Sequence, residues 1–297
     1  MKIIIFGGNG FIGNKLFESL KKNNKVVIYG NKKYSKEGKN LIFYNKNNFI
    51  NIIKKIKPEV IFFLSGNSYP SNTSNDDIYD LKSTNLVLQE LLSALKKTKF
   101  NKLFFYTSSI AVYGSVKSKK SISENYKLNP ESHYGNSKLI AEKQIEYMSK
   151  YVLFNSIILR LSSIYGPGLK RQIIYQVIKS ILTSNKIILN GKINDKRQFL
   201  YVNDCVKILK SLINKKYKKF QIYNISNGKK IEIKKIIKYL EIQLNKKITT
   251  KFLNKFKSPN LPELSNKKVL KKIGNVRFTS FNDGLVETLN FIKNNLK

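Results

Sequence analysis

Residues 2–13 read KIIIFGGNGFIG and join a short apolar run to three glycines at every third position. The run is apolar at nearly every position, which predicts a strand buried on both faces of a sheet. Gly7, Gly10 and Gly13 follow it, and helical spacing of apolar residues begins at Phe11. In such a turn Gly7 permits a tight bend, Gly10 lets the backbone approach a pyrophosphate, and Gly13 lets helix and strand pack closely. The segment therefore predicts the first strand–helix unit of a dinucleotide-binding fold.

Predicted strands and helices alternate through the first half of the chain, and the pattern then changes. Further strands are predicted at 25–29, 41–44, 59–64, 102–107 and 153–159, with helices at 11–23, 47–57, 78–98 and 135–150. Later helices are predicted at 170–184, 203–214, 231–243 and 281–294, with short strands at 186–189 and 221–225 and a loop at 254–266. Apolar strands separated by amphipathic helices are typical of a parallel sheet covered on both sides.

We therefore predict an α/β protein built on a Rossmann-like, doubly wound parallel sheet with a smaller C-terminal α/β lobe for substrate. Residues 1–165 form the predicted dinucleotide-binding domain, and residues 166–297 form mainly the second lobe. The segments near 197–225 are expected to return to the first domain.

The 297-residue chain has 56 Lys and Arg residues against 18 Asp and Glu residues, a formal net charge of +38. Such a charge suggests nucleic acid or an anionic membrane as a partner. Arginine, however, is the usual residue for gripping phosphates and base edges, and here it occurs only at positions 160, 171, 197 and 277. Lysine shares A/T-rich codons with Asn and Ile, which are also abundant in this chain. Codon composition therefore explains the charge, and a nucleic-acid partner is disfavoured.

Cysteine and histidine each occur once, at Cys205 and His133. This rules out an intramolecular disulfide and a Cys- or His-rich metal centre, so no metal site is predicted. The N-terminus lacks a signal-peptide cleavage pattern, and the longest apolar stretches fall short of the ~18 residues that suggest a transmembrane span. We expect a cytoplasmic protein without a membrane span.

Residues 134–138 read YGNSK, so Tyr134 and Lys138 lie four residues apart on one face of a predicted helix. An unperturbed tyrosine has a pKa near ~10, and a neighbouring ammonium lowers it. The pair suits proton exchange with an alcohol or carbonyl while a nicotinamide exchanges hydride. Ser109 lies at the carboxyl end of a predicted parallel strand, where doubly wound folds bind ligands, and is expected to hydrogen-bond the reacting oxygen.

Taken together, these segments resemble the nucleotide-sugar epimerase/dehydratase family of extended short-chain dehydrogenases/reductases. The resemblance rests on GGNGFIG (7–13), LSG (64–66), Asn85 and its helix, TSSIAVYG (107–114), HYGNSKLIAEK (133–143), RLSSIYGPG (160–168) and RQFLYVND (197–204). It implies that Tyr134 is the acid/base, that Lys138 holds the nicotinamide ribose, and that Ser109 binds the sugar oxygen. Asn85 matches an asparagine that supports the active-site water and backbone.

The resemblance also implies binding residues and partners. The implied cofactor-binding residues are Gly7, Gly10, Phe11, Ile12, Gly13, Asn31, Lys32, Leu64, Tyr134, Lys138 and Ile164. The implied substrate-binding residues are Ser109, Ser163 and Arg197, of which Arg197 binds the diphosphate of a nucleotide sugar. A homodimer is expected, formed by the helices 78–98 and 135–150.

Departures from the family pattern bear on the reaction. Ile110 and Ala111 stand where sugar 4,6-dehydratases carry an Asp-Glu pair, which disfavours a dehydratase. Gln198 replaces the usual Asp after Arg197, and an R-Q-F run resembles keto-sugar reductases. Ser163 replaces the usual Asn of the diphosphate site, and Asn45 stands at an adenine-contacting Asp.

These departures favour a nucleoside-diphosphate 4-keto-6-deoxyhexose reductase that transfers hydride at C4. A nucleotide-hexose 4-epimerase is the alternative. A non-catalytic, RNA-binding or structural Rossmann protein is a more remote one, because such relatives typically lose the Tyr/Lys pair that this chain keeps.

The stretch after the second predicted strand bears on the cofactor. An acid there usually binds the ribose 2′-hydroxyl of NAD, whereas residues 29–33 read YGNKK and contain none. A lysine at this point is able to pair with a 2′-phosphate. The sequence therefore favours NADP(H) over NAD(H).

Overall fold

The computed structural model describes residues 1–30, 41–43, 48–66, 78–118, 120–253 and 260–296, with residues 41–43 and 190 described by their backbone. The strands are β1 (Lys2–Phe6), β2 (Lys25–Gly30), β3 (Leu41–Phe43), β4 (Val60–Phe63), β5 (Leu103–Ser109), β6 (Asn155–Leu161), β7 (Ser163–Tyr165), β8 (Lys186–Asn190), β9 (Lys196–Tyr201), β10 (Phe220–Ile225), β11 (Lys230–Glu232) and β12 (Thr249–Leu253). The helices are α1 (Phe11–Leu20), α2 (Phe49–Ile56), α3 (Val87–Lys97), α4 (His133–Met148), α5 (Gln172–Thr183), α6 (Val202–Ile213), α7 (Ile233–Leu244), α8 (Lys267–Ile273) and α9 (Phe281–Asn294). A π-helical turn, Leu81–Leu86, leads into α3.

Seven strands form one parallel sheet in the order β10-β6-β5-β4-β1-β2-β3. The order reverses at β1, which has β2 on one side and β4 on the other. At such a reversal the connections leave toward opposite faces and open a crevice at the carboxyl ends of the strands. The predicted doubly wound sheet is confirmed, and its crevice lies beside the glycine-rich turn.

Alternate residues of the central strands pack into two separate cores. Ile3 and Ile5 of β1 are fully buried in a cluster that includes residues of α1, α5, α6 and α9, and Ile4 is fully buried in a cluster with residues of α2, α3 and α4. Each such side chain contributes about 1.5–3 kcal/mol on burial. Because both faces are covered, the strand needs the uninterrupted apolar run seen in the sequence.

The later part of the chain adds two small sheets to the structure. One has the order β11-β9-β7, and the other pairs β8 with β12. The segment that ends in β10 returns to the main sheet, where Phe220 pairs with Ser156 of β6. The division of the chain into two domains near residue 165 stays a prediction.

Several later elements differ from the sequence-based expectation. β9, β11, β12 and α8 were not predicted, because they are short and rich in charged residues. The positions of the strands depend on contacts with distant segments, such as the pairing of β12 with β8 and of β9 with β7. Among the helices that the structure describes, none combines the length and apolar character needed to cross a bilayer.

Candidate active site

The glycine-rich turn is fixed by close backbone contacts. Gly7 has a φ of +77°, and a Cβ there would lie 2.8 Å from the backbone nitrogen of Ser65. A Cβ at Gly13 would lie 2.2 Å from the carbonyl oxygen of Gly7. Any side chain at either position would collide with backbone, which explains why both residues are glycine.

Helix α1 begins at this turn with an N-terminus that no side chain caps. Gly10 is its N-cap residue, and its first turn contains no acid. The free N–H groups and the partial positive charge of the helix end therefore favour an anion. Phe11 and Ile12 are half-buried at the start of the helix, and the backbone of Leu64 lies beside Gly7. These residues fit the diphosphate of a dinucleotide cofactor.

The segment after β4 connects the glycine-rich turn with the middle of α4. Ser65 borders Gly7, and the next residue, Gly66, has a φ of +137°. A Cβ at Gly66 would lie 2.6 Å from Oγ1 of Thr84 and 3.4 Å from Nζ of Lys138. The structure thus brings the glycine-rich turn and the Tyr-Lys pair to one edge of the sheet, as expected from the strand order.

Lys138 is held in place inside the protein. Its side chain is 5% exposed, and its Nζ donates a hydrogen bond of 3.1 Å to the carbonyl oxygen of Thr107 at the end of β5. The same Nζ lies 5.8 Å from the ring centroid of Tyr134 and 5.1 Å from that of Tyr106. Helical spacing on α4 and this anchor on β5 together place the ammonium next to the phenol.

Burial dominates the titration of the pair. It lowers the pKa of Lys138 to about 8, against the opposing influence of the Asp80 and Glu142 carboxylates. Burial also raises the pKa of Tyr134, although the hydrogen bond with Ser109 lowers it. The net direction for Tyr134 is opposite to the lowering expected from a neighbouring ammonium, because the loss of hydration of the phenolate outweighs it. The influence of the Ser109 hydroxyl on this pKa indicates that Ser109 lies near Tyr134.

Asn85 joins the two helices that flank the site. It is 4% exposed and lies in the π-helical turn before α3. Its Nδ2 donates to the carbonyl oxygen of Ser137 over 2.9 Å, and the Ser137 hydroxyl donates to its Oδ1 over 2.7 Å. Since Ser137 precedes Lys138, Asn85 fixes the turn of α4 that carries the lysine.

A buried ion pair that lies below the site was not predicted from the sequence. Glu142 lies one helical turn after Lys138, and its Oε2 is 2.7 Å from an Nη of Arg160 on β6. Ser108 donates a hydrogen bond to the same carboxylate, and Tyr113 accepts one of 2.9 Å from Arg160. The spacing of Tyr134, Lys138 and Glu142 along one helix face was a signal that could have revealed it.

Asp80 was also missed. It is 6% exposed, and its Oδ1 is buried without a hydrogen-bond partner in the described structure. Its carboxylate influences the pKa of both Tyr134 and Lys138. No sequence pattern marked it, because it lies in the first turn of the predicted helix 78–98, at a position with no local motif.

The predicted substrate residues lie on the small sheet that contains β7 and β9. Ser163 begins β7 and pairs with Phe199 of β9, two residues after Arg197. Arg197 is half-buried and forms no hydrogen bond or ion pair within the described residues. Burial lowers the pKa of this guanidinium, against the effect of Asp195. A partly buried guanidinium without a side-chain partner among the described residues is suited to bind an anionic ligand.

Ile164, another implied cofactor residue, is 6% exposed and belongs to the core shared by α5, α6 and α9. The implied cofactor residues Asn31 and Lys32 lie outside the described residues, as does Asn45.

Gln198 has a structural explanation. Its side chain is 3% exposed, its Nε2 donates to the carbonyl oxygen of Leu264 over 3.2 Å, and its Oε1 accepts from the Leu264 nitrogen over 3.0 Å. Both polar atoms are therefore used in fixing a distant segment of the chain. These bonds give Gln198 a structural role that is independent of the reaction.

The fold and the Ser-Tyr-Lys arrangement define a dinucleotide-dependent enzyme of the Rossmann type. The chain belongs to the NAD dependent epimerase/dehydratase family, whose model matches residues 3–226. The uncharacterized UDP-glucose epimerase YtcB of Bacillus subtilis (strain 168) is 27% identical over 276 residues, which cover 86% of each chain. The dTDP-4-dehydro-6-deoxyglucose reductase of Escherichia coli is 34% identical over 156 residues, covering 51% of this chain and 48% of that one.

Solved structures agree on the fold. The UDP-glucuronic acid 4-epimerase from Bacillus cereus, in complex with UDP-glucuronic acid and NAD, matches with a TM-score of 0.87 at 24% identity over 99% of both chains. The expected preference for NADP(H) is wrong, because the family is NAD dependent and the similar structures contain NAD. In so lysine-rich a chain, Lys32 and Lys33 were poor evidence for a 2′-phosphate site.

Proposed function

We propose that this protein is an NAD-dependent 4-epimerase of a nucleotide-activated sugar. The observation that carries the proposal is the meeting of Ser109, Tyr134 and Lys138 beside the glycine-rich turn. The epimerase YtcB matches along most of the chain, whereas the reductase matches about half of it. Since the solved structures that match along the chain include UDP-sugar 4-epimerases, the alternative reaction of the sequence analysis becomes the better reading, and the 4-keto reductase is the second candidate.

The catalytic steps follow from the positions of the side chains. Bound NAD⁺ supplies a hydride acceptor at the nicotinamide and a positive charge that favours the Tyr134 phenolate. Tyr134 takes the proton of the sugar C4 hydroxyl and later returns it to the 4-keto oxygen. Ser109 holds that oxygen, and Lys138 binds the nicotinamide ribose while its charge stabilises the phenolate. With NAD bound, return of the hydride to the opposite face of C4 would invert the centre with no net use of cofactor.

The remaining binding roles follow the division of the chain. Residues 1–165 bind the cofactor through Gly7, Gly10, Phe11, Ile12, Gly13 and Leu64. Residues 166–297 bind mainly the nucleotide sugar, with Arg197 on its diphosphate and Ser163 nearby. Ile110 is buried and, like Ala111, has no group that transfers protons, so the proposed reaction includes no elimination of water.

A homodimer is proposed through α3 and α4. Their outer face exposes Leu86 and Tyr147 by 57% and 59%, and Leu139 and Ile140 line a shallow depression there. A contiguous apolar patch of this kind is typical of a protein interface. Sedimentation equilibrium is expected to show a dimer that Tyr147→Glu dissociates. A wild-type monomer at micromolar concentration would contradict the proposed dimer.

The reaction is tested with a panel of UDP- and dTDP-hexoses and their 4-keto derivatives. An epimerase interconverts the C4 epimers while the absorbance of reduced nicotinamide stays constant. Stoichiometric oxidation of NADH with a 4-keto sugar, without epimerisation, would establish the reductase instead. If no sugar reacts and RNA binding survives physiological salt with a steep salt dependence, the non-catalytic alternative is correct.

A further inference from the structure

Asn9 carries a polar group that the folded protein leaves unsatisfied. It lies inside the glycine-rich turn between Gly8 and Gly10, and its Nδ2 is buried without a hydrogen-bond partner in the described structure. A buried amide donor without a partner is costly and uncommon in native proteins. The position of this donor at a cofactor-binding turn points to a ligand atom as its partner.

The amide of Asn9 extends toward the end of the second strand. A Cβ added to Gly30, the last residue of β2, would lie 3.1 Å from Nδ2 and 3.6 Å from Cγ of Asn9. Because Gly30 has no side chain, the amide has room at the carboxyl end of β2. The glycine-rich turn and the end of β2 are thus connected by one polar side chain.

The end of β2 is the place where proteins of this fold bind the adenosine ribose. An acidic side chain there usually binds the 2′-hydroxyl, and residues 29–33 of this chain contain no acid. Family membership nevertheless indicates NAD as the cofactor. Among the described residues, the Asn9 amide is an unpartnered polar group at this position that is able to recognise the ribose.

We propose that Nδ2 of Asn9 donates a hydrogen bond to the 2′-hydroxyl oxygen of the adenosine ribose of NAD, in place of the missing carboxylate. The inference rests on the proposed binding of NAD at the glycine-rich turn. The bond satisfies the buried donor and makes Asn9 a determinant of cofactor affinity. It involves no contact with the reacting atoms, so its effect belongs to binding.

The test measures dissociation constants by calorimetry for NAD and for its analogue lacking the adenosine 2′-hydroxyl. For the wild type, removal of the hydroxyl is expected to weaken binding about three- to tenfold. Asn9→Ala is expected to bind NAD as weakly as the wild type binds the deoxy analogue. Its dissociation constants for NAD and for the deoxy analogue should be equal. Asn9→Asp restores the discrimination, since a carboxylate accepts a hydrogen bond from the same hydroxyl.

Asn14→Ala provides the matched control, because Asn14 is an exposed asparagine of α1 next to the same turn. It is expected to discriminate like the wild type. If Asn9→Ala keeps the full wild-type discrimination, the inference is overturned, whatever its absolute affinity. Asn9→Ser replaces the alanine variant if thermal unfolding shows that the latter is not folded. A wild type that binds neither dinucleotide would overturn the proposed function as well, so the two failures are distinguishable.

Discussion

The two edges of the seven-stranded sheet use lysine in opposite ways. At the edge where strands begin, Lys2, Lys25, Lys102 and Lys219 are exposed at or just before the starts of β1, β2, β5 and β10. At the edge where strands end, Lys138 is buried and donates to the Thr107 carbonyl oxygen. The exposed ammonium groups remain hydrated. The Lys138 ammonium is removed from water, and this burial lowers its pKa to about 8.

This contrast shows that the net charge of the chain does not indicate which lysine takes part in the proposed chemistry. A formal charge of +38 suggests a polyanion partner when only the count is considered. The lysine that matters for the proposed chemistry is identified by its burial, its anchor on β5 and its distance from Tyr134. The comparison therefore predicts large effects at the carboxyl edge and very small ones at the amino edge.

Removal of the Tyr134 hydroxyl is expected to have the largest effect. Tyr134→Phe removes the proton donor and acceptor, so kcat should fall about 10²–10⁴-fold while the dissociation constant of NAD changes little. Steady-state epimerisation and calorimetric NAD titration measure the two quantities. Tyr126→Phe is the control, because Tyr126 is an exposed tyrosine. Residual activity above a tenth of wild type would remove Tyr134 from the mechanism.

The buried ion pair beneath the site is expected to dominate stability. Glu142→Gln leaves the Arg160 guanidinium buried without its counter-charge, which should reduce the free energy of unfolding by about 3–5 kcal/mol. Glu146→Gln on the same helix breaks an exposed pair with Lys143 and should cost at most about 1 kcal/mol. Urea unfolding of both variants checks the difference, and equal losses would contradict it.

The pH dependence of stability is expected to reveal the burial of Lys138. Its folded pKa of about 8 is below that of the unfolded chain, so between these values the unfolded state binds more protons. The free energy of unfolding of the wild type should therefore rise relative to that of Lys138→Met as pH increases from 8 to about 10, by on the order of 1–3 kcal/mol. Other titrating groups cancel in this difference. A difference that is independent of pH would contradict the lowered pKa.

Sequence patterns predicted the parts of the molecule that depend on local spacing. The glycine-rich turn follows from steric limits at Gly7 and Gly13, and the Tyr134–Lys138 pair follows from helix geometry. The strand order brought Ser109 to the same edge, as expected from topology. These features needed no knowledge of distant contacts.

Other features depended on contacts that spacing does not show. β9 is fixed by the bonds of Gln198 to Leu264, 66 residues away, and the Glu142–Arg160 pair requires β6 to lie against α4. The raised pKa of Tyr134 depends on burial, which outweighs the opposing influence of the Ser109 hydroxyl. The preference for NADP(H) was predicted from the lysines after β2 and was wrong.

The smallest effect is expected at the amino edge. Replacing Lys2, Lys25, Lys102 and Lys219 by Gln removes four exposed charges, and each change should alter the free energy of unfolding by no more than about 0.5 kcal/mol. The value of kcat/KM should stay within about twofold of wild type at moderate salt, because these residues are far from the carboxyl edge. A loss comparable with that of Tyr134→Phe would abolish the contrast between the two edges.

The central claim, hydride removal and return at C4, is tested most directly with a UDP-hexose deuterated at C4. The account predicts that mass spectrometry of the C4 epimer finds the deuterium still at C4, that no external NADH is consumed, and that Tyr134→Phe forms no epimer. An epimer that has lost its deuterium to solvent, or a reduced product formed only with added NADH, would contradict it.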